Sequence, residues 1–236
     1  GNVAFSYLFE GNDANAYPTN GYLWDAAARA GLPLRNYGEF VGTSAEWPPT
    51  VLNLEEGAVG ALKGNTCPYF PGYDTDILDN ARVDVFLKEL RGFAKAKEMP
   101  RLLILRLGND HTVGTKKGGR TPRAMVAEND LALGRLVEAI SHSPFWKDTA
   151  IFVLEDDAQN GPDHVDAHRS VLLVASAWAK RGTVDSTLYT TSGVLRTIEL
   201  LLGLPPMSQY DAAANPLFGA FAAKADPTAY TVRPAR

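Results

Sequence analysis

The sequence predicts a three-layer α/β fold, in which a mostly parallel central sheet carries helices on both faces. Two observations predict it. Short apolar runs of strand length alternate with longer segments in which apolar residues recur every three or four positions. Capping residues and Gly or Pro stops separate these segments. Helices placed between strands in this way indicate right-handed crossovers between parallel strands.

The first predicted helix covers residues 20–31, with Asn20 as its cap and Gly31 at its end. Residues 32–37 can follow it as a strand. From residue 42 to residue 76 the chain is rich in Pro, Gly, Asn and aromatic residues. A connector this long and irregular is typical of a functional loop in a compact domain, so we interpret it as a lid or wall.

A second helix is predicted over residues 77–97, and Pro100 stops it. Its apolar stripe consists of Ile77, Val83, Phe86, Leu87, Leu90 and Phe93. Lys and Arg gather towards its end, as a helix C-terminus favours. The next apolar run, residues 101–107, has the length of a strand and is followed at once by Asn109, Asp110 and His111.

Thr121 is the predicted cap of a third helix, with Pro122 at its first position. The buried stripe of this helix is expected to contain Met125, Val126, Leu133, Leu136, Val137 and Ile140. Residues 150–154 and 171–175 form two further apolar strands. A last helix is predicted from about residue 191 to residue 202, where Gly203 ends it.

Composition limits the partners of this chain. Its 236 residues, 45% of them apolar, suit one large domain over residues 1–236. With 27 acidic and 23 basic residues and no basic run, nucleic acid is not an expected partner. No apolar stretch approaches the roughly 20 residues of a membrane span. Cys67 is the only cysteine, which excludes an internal disulfide and a thiolate metal cluster.

Charged residues follow two successive strands of the predicted sheet. Asp110 and His111 follow one strand, and Asp156 and Asp157 follow the next. Ligands bind outside the carboxyl ends of strands in open α/β sheets, so we expect both clusters to line one cleft. A cation would remove the repulsion between these acids. With His168 the set mixes carboxylate and imidazole, which predicts a zinc, manganese or iron site.

Three further residues, Asp163, His164 and Asn109, can either bind the metal or support a ligand from behind it. The glycine-rich stretch 114–120 leads to a helix start, where its residues Lys116, Lys117 and Arg120 could hold a phosphate. This stretch fits no P-loop pattern, and a solvated loop is the alternative.

Three longer motifs occur in the chain: GNDHT at residues 108–112, MVAEND at 125–130 and EDDAQNGPDHVDAHR at 155–169. Together with the first helix they resemble the phosphoesterase family that includes phospholipases C and acid phosphatases, within the alkaline phosphatase superfamily. The resemblance covers nearly the whole chain.

The resemblance implies an alkaline-phosphatase-like fold, of which this chain corresponds to the C-terminal two thirds. It implies one or two divalent metal ions per chain, with zinc favoured and manganese, iron or calcium as alternatives. Asp156, Asp157 and His168 match the superfamily's metal ligands, and Asp110 with His111 match more loosely. The catalytic hydroxyl nucleophile is expected in a segment that precedes Gly1, and no residue of this chain is assigned to that role.

The sequence thus leads to the hypothesis of metal-dependent hydrolysis of phosphate mono- or diesters. The alternative is a non-catalytic, metal-bound binding or structural module, joined to a β-propeller domain as relatives often are. Phosphate-group transfer and sulfate-ester hydrolysis are further options. The family alone implies a secreted or periplasmic protein.

Overall fold

The computed structural model of the chain describes residues 17–41, 59–156 and 170–234. Its helices and strands, in chain order, are α1 (Leu23–Arg29), β1 (Leu34–Tyr37), α2 (Asp79–Ala96), β2 (Leu102–Leu105), α3 (Pro122–Ser141), β3 (Ala150–Leu154), β4 (Leu172–Ser176), α4 (Thr191–Leu202) and α5 (Gln209–Ala213). The chain is therefore a mixed α/β protein, as the alternation of segments predicted.

β1 and β2 form a parallel pair, in register from Leu34 opposite Leu102 to Tyr37 opposite Leu105. α2 lies between them in the chain and packs against α3. This strand–helix–strand unit is the arrangement that the apolar pattern predicted, with each strand shorter than expected.

β3 and β4 pair antiparallel, from Ala150 opposite Ser176 to Leu154 opposite Leu172. Within the described residues no ladder joins this pair to β1 and β2. The prediction of one mostly parallel sheet thus differs from the structure in this half of the chain. The reason is that an all-apolar run indicates burial and carries no signal of strand direction.

One core nevertheless includes residues of both strand pairs. Its buried members are Tyr37, Cys67, Phe70, Val83, Phe86, Leu90, Ala132, Leu136, Ile140, Trp146 and Ala177. Leu103 and Leu105 of β2 pack against this cluster, and so do Ile151 of β3 and Ala175 of β4. The stripes of α2 and α3 therefore meet strands from both pairs.

Cys67 is one of these core residues and is fully buried. Its backbone N–H donates to the carbonyl oxygen of Asn36 at 2.8 Å, which attaches it to β1. Burial raises the pKa of the Cys67 thiol to about 11, and the negative charge of Glu89 acts in the same direction. Glu89 is held in place by hydrogen bonds from Arg35 and Tyr37.

The helix boundaries follow the predicted caps with one exception. Thr121 accepts a hydrogen bond from the N–H of Ala124 at 3.2 Å, as a cap of α3 should. The first helix begins at Leu23, where the Asp25 carboxylate accepts a hydrogen bond from the backbone N–H of Tyr22 at 2.9 Å, while the Tyr22 side chain makes no capping hydrogen bond. Asn20, the predicted cap, donates to the carbonyl oxygen of Met207 instead.

The loop predicted to be a lid or wall, residues 42–76, is described from Val59 onward. That part is irregular apart from a short 3₁₀ turn at Gly60–Leu62 and a parallel β-bridge between Thr66 and Asn36. It buries Leu62, Cys67 and Phe70, so it contributes to the packed interior. None of the described helices is both long enough and apolar enough to span a bilayer.

Replacing each of two helical glycines with alanine is expected to change the free energy of unfolding in opposite directions. A Cβ at the exposed Gly92 of α2 would meet no atom within 4 Å, so Gly92→Ala should raise the free energy of unfolding by about 0.5–1 kcal/mol. A Cβ at the buried Gly193 of α4 would lie 2.4 Å from the carbonyl oxygen of Asn215. Gly193→Ala should therefore lower the free energy of unfolding by about 1–3 kcal/mol. Urea denaturation measures both, and changes of equal sign would contradict this packing.

Candidate functional site

The turn after β2 carries three of the predicted site residues. Asn109–His111 form a single 3₁₀ turn between Gly108 and Thr112. Asn109 is fully buried, Asp110 is partly buried and His111 is exposed. The turn thus presents a carboxylate and an imidazole beyond the carboxyl end of β2.

The amino end of α2 holds this turn in place. The carboxylate of Asp79, the first residue of α2, accepts hydrogen bonds from the N–H groups of Gly108 at 3.2 Å and Asn109 at 2.9 Å. Arg82 approaches the same carboxylate at 3.0 Å. The Arg82 guanidinium also donates to three carbonyl oxygens, those of Gly72, Asp74 and Ile77. Both charges are buried, and each is therefore paired and hydrogen-bonded.

Glu128 of α3 closes the network from the other side. Its carboxylate accepts from the N–H groups of Asp79 at 3.0 Å and Asn80 at 2.7 Å, and from Nδ2 of Asn109 at 3.0 Å. Burial would raise the pKa of Glu128, but hydrogen bonds from Asn80 and Asn109 hold that pKa below its ordinary value. Glu128 thus caps α2, whose own N-cap residue, Leu78, has no side-chain oxygen.

Asn129, the next residue of α3, connects this network to Asp110. Its Nδ2 lies 3.0 Å from Oδ2 of Asp79 and 3.3 Å from Oδ1 of Asp110. The amide nitrogen must face these atoms, because ionised carboxylate oxygens only accept hydrogen bonds. Within the part of the chain that the structure describes, no hydrogen bond reaches Oδ2 of Asp110.

The His111 ring is oriented by its neighbours. Its Nδ1 lies 3.0 Å from the carbonyl oxygen of Thr112, so in the neutral ring Nδ1 carries the proton and Nε2 keeps its lone pair. The ring packs edge to face with Tyr73 at 5.5 Å, and Arg106 lies over the same Tyr73 ring at 5.1 Å. Gly108 permits this packing, since a Cβ there would lie 2.9 Å from that ring.

The second predicted cluster begins at the end of β3. Asp156 is exposed and follows Glu155, whose N–H donates to the carbonyl oxygen of Val171 at 3.2 Å. The hydroxyl of Ser170 donates to the carbonyl oxygen of Glu155 at 3.1 Å. Asp156 and Ser170, the described residues on either side of the next segment, therefore both lie at one end of the β3–β4 pair. Four predicted site residues lie in that segment, outside the described residues: Asp157, Asp163, His164 and His168.

The three basic residues predicted to bind phosphate differ in their surroundings. Lys116 and Lys117 are exposed in the loop before α3. Arg120 is partly buried, and its Nη2 donates to the carbonyl oxygen of Thr75 and lies 3.3 Å from Oδ1 of Asn109. Its Nη1 is buried and has no hydrogen-bond partner among the described residues. Arg120 thus supports the turn after β2.

The described residues bring together only part of the predicted metal site. Among residues 17–41, 59–156 and 170–234, no group of three His, Cys, Asp or Glu side chains is placed to hold an ion. Asp110 and His111 share one turn, while Asp156 belongs to another strand end. The ligand roles of Asp157 and His168 stay predictions.

Sequence reasoning missed the residues that support the turn: Asp79, Arg82, Glu128 and Asn129. The available signal was the buried side of α3, because Glu128 follows the buried Met125 by three positions. A polar residue at that position needs a partner, and α2 supplies it.

No protein-family model matches the chain, and no curated protein matches it. The chemistry of the site is therefore inferred from its own residues, from their placement and from the motif resemblance.

Proposed function

We propose that the chain is the metal-binding part of a hydrolase that cleaves phosphate mono- or diesters. The observation that supports this most strongly is the Asp110–His111 pair at the carboxyl end of β2, held by a buried network from α2 and α3. Ligand sites in α/β proteins lie at such strand ends. A turn supported by buried hydrogen bonds also keeps metal-binding side chains in a fixed geometry.

The donor atoms fit a zinc-type ion. Asp110 offers Oδ2 and His111 offers Nε2, while its Nδ1–H is bound to a carbonyl oxygen, as is usual for metal-binding histidines. Asp156, at the end of β3, and Asp157 and His168, from the segment that follows it, complete the proposed set. Carboxylate with imidazole favours zinc, with manganese or iron as alternatives. Such an ion supplies positive charge that stabilises the attacking and leaving oxygens of an in-line displacement.

The proposal includes a three-layer α/β fold of the alkaline phosphatase type, in which both strand pairs belong to one larger sheet. The shared core supports it, because Leu103 and Leu105 of β2 pack on the same cluster as Ile151 of β3 and Ala175 of β4. The hydroxyl nucleophile is not assigned to any residue of this chain.

Two measurements on the chain test this proposal. Inductively coupled plasma mass spectrometry after dialysis should find roughly one or two transition-metal ions per chain. Metal-dependent hydrolysis of bis(p-nitrophenyl) phosphate or p-nitrophenyl phosphate by the chain, faster than that of p-nitrophenyl sulfate, would support the phosphoesterase proposal and exclude the non-catalytic module. Metal binding without turnover by this chain is the result expected when the nucleophile lies outside it, so the non-catalytic module is favoured only if a protein that also carries the preceding segment shows no turnover. A folded chain without metal would contradict the site itself.

Replacing both strand-end acids, Asp156→Ala with Asp157→Ala, is expected to abolish metal retention, because the proposed site would lose two anionic ligands. The melting temperature in the presence of a chelator should not change, since Asp156 is exposed. The matched control is Asp148→Ala, which removes another exposed carboxylate and should retain metal. Retention of metal by the double variant at the parent level would show that these acids are not ligands.

A further inference from the structure

We infer that Asn129 is a positioning residue for Asp110, which orients the Asp110 carboxylate towards the bound cation. The inference rests on the proposed function, because it assigns a role within the same metal site. Asn129 itself touches neither substrate nor metal in this proposal and acts through Asp110.

The first step of the argument is that Asn129 is itself fixed. Its Nδ2 lies 3.0 Å from Oδ2 of Asp79. That carboxylate is fully buried and cannot turn, since Arg82 and the N–H groups of Gly108 and Asn109 all bind it. The Asn129 amide is therefore attached to a buried carboxylate that several hydrogen bonds hold in place.

The second step concerns Asp110. The same Nδ2 lies 3.3 Å from Oδ1 of Asp110, so one amide group lies between two carboxylates. An amide nitrogen carries two N–H donors, which suffices for both acceptors. With Oδ1 held by Asn129, Oδ2 is the Asp110 oxygen that remains for a cation. The carboxylate is thus oriented before the metal binds, which lowers the cost of forming the site.

The electrostatics of the turn agree with this role. Asp79 and Asp110 carry like charges and both lie against Asn129. A neutral donor between them is attractive to each, whereas a carboxylate in its place would repel both. An apolar side chain there would leave Asp110 free to rotate.

Zinc affinity measured by competition with a chromophoric chelator tests the inference. Asn129→Ala is expected to weaken zinc binding about 10–100-fold, as is usual when the hydrogen-bond partner of a ligand is removed. The control is Asp130→Ala, next in the same helix and exposed, which should leave zinc affinity unchanged. Should Asn129→Ala not fold, Asn129→Ser provides the same comparison, because its side chain is too short to reach both carboxylates.

A double-mutant cycle separates positioning from a general structural role. If Asn129 acts through Asp110, Asn129→Ala should cause no further loss of zinc affinity in an Asp110→Ala background. An equal loss in both backgrounds would overturn the inference. Parent-like zinc affinity of Asn129→Ala would also overturn it and leave the proposed site standing. A parent chain that binds no zinc would overturn both.

Discussion

Replacing Asp79 with alanine is expected to lower the free energy of unfolding by about 3–5 kcal/mol, because it leaves a buried charge without its partner. The Arg82 side chain is only 2% exposed, and Asp79 is its ion-pair partner at 3.0 Å. The same change removes the acceptor for the N–H groups of Gly108 and Asn109. Urea denaturation followed by circular dichroism measures the effect.

An ion pair between Asp84 of α2 and Arg135 of α3 provides the matched control. Asp84 pairs with Arg135 at 2.5 Å, but its side chain is 66% exposed. Asp84→Ala should therefore lower the free energy of unfolding by only about 0–1 kcal/mol. If Asp79→Ala were as mild as this control, the Asp79–Arg82 pair could not be the support that holds the turn after β2.

Glu128→Ala is expected to lower the free energy of unfolding by about 2–4 kcal/mol, since it removes the cap of α2 and leaves buried donors without an acceptor. The donors are the backbone N–H groups of Asp79 and Asn80 and the side-chain amides of Asn80 and Asn109. Urea denaturation at neutral pH measures this change in the free energy of unfolding. Glu138→Ala, later in the same helix, is the control, because the Glu138 carboxylate accepts a single hydrogen bond among the described residues, from the N–H of Val232 at 3.2 Å.

The pH dependence of this effect follows from the pKa of Glu128. Hydrogen bonds hold that pKa below 4.5 in the folded chain despite burial, so the folded state releases the proton more readily than the unfolded state. Glu128 therefore contributes stability above its unfolded pKa, and this contribution is lost as the pH falls through the lowered value. The stability difference between the parent and Glu128→Gln should be largest near neutral pH and should shrink on acidification. A difference that stayed constant down to pH 3 would contradict this assignment.

The helices could be predicted from the sequence because their signals are local. Thr121 and Pro122 mark the start of α3, and Gly203 marks the end of α4 with a left-handed φ of 71°. The prediction of which α3 residues are buried was less accurate. Val126 is 47% exposed, while Ala132, a small residue that was not assigned to the stripe, is fully buried. Packing against α2 decides which residues of α3 are buried, and a single sequence carries no information about that packing.

Strand direction and the support of the site depend on contacts between distant segments. The apolar runs of β3 and β4 were found, but their antiparallel pairing was not. The role of Asn109 was likewise left open between metal ligand and supporting residue. In the structure its side-chain amide donates to the carbonyl oxygen of Ile77 and to the carboxylate of Glu128. Its partners are 32 and 19 residues away in the chain, so no local pattern indicates them.

The buried thiol of Cys67 can be used to measure local unfolding of the chain around it. With no exposed surface and a pKa of about 11, this thiol is almost entirely protonated at pH 8 and out of reach of an alkylating reagent. Labelling therefore proceeds only through states in which the segment around Cys67 has left β1. Because Cys67 is the only cysteine, the rate of labelling by iodoacetamide gives the free energy of that local opening without any engineered probe.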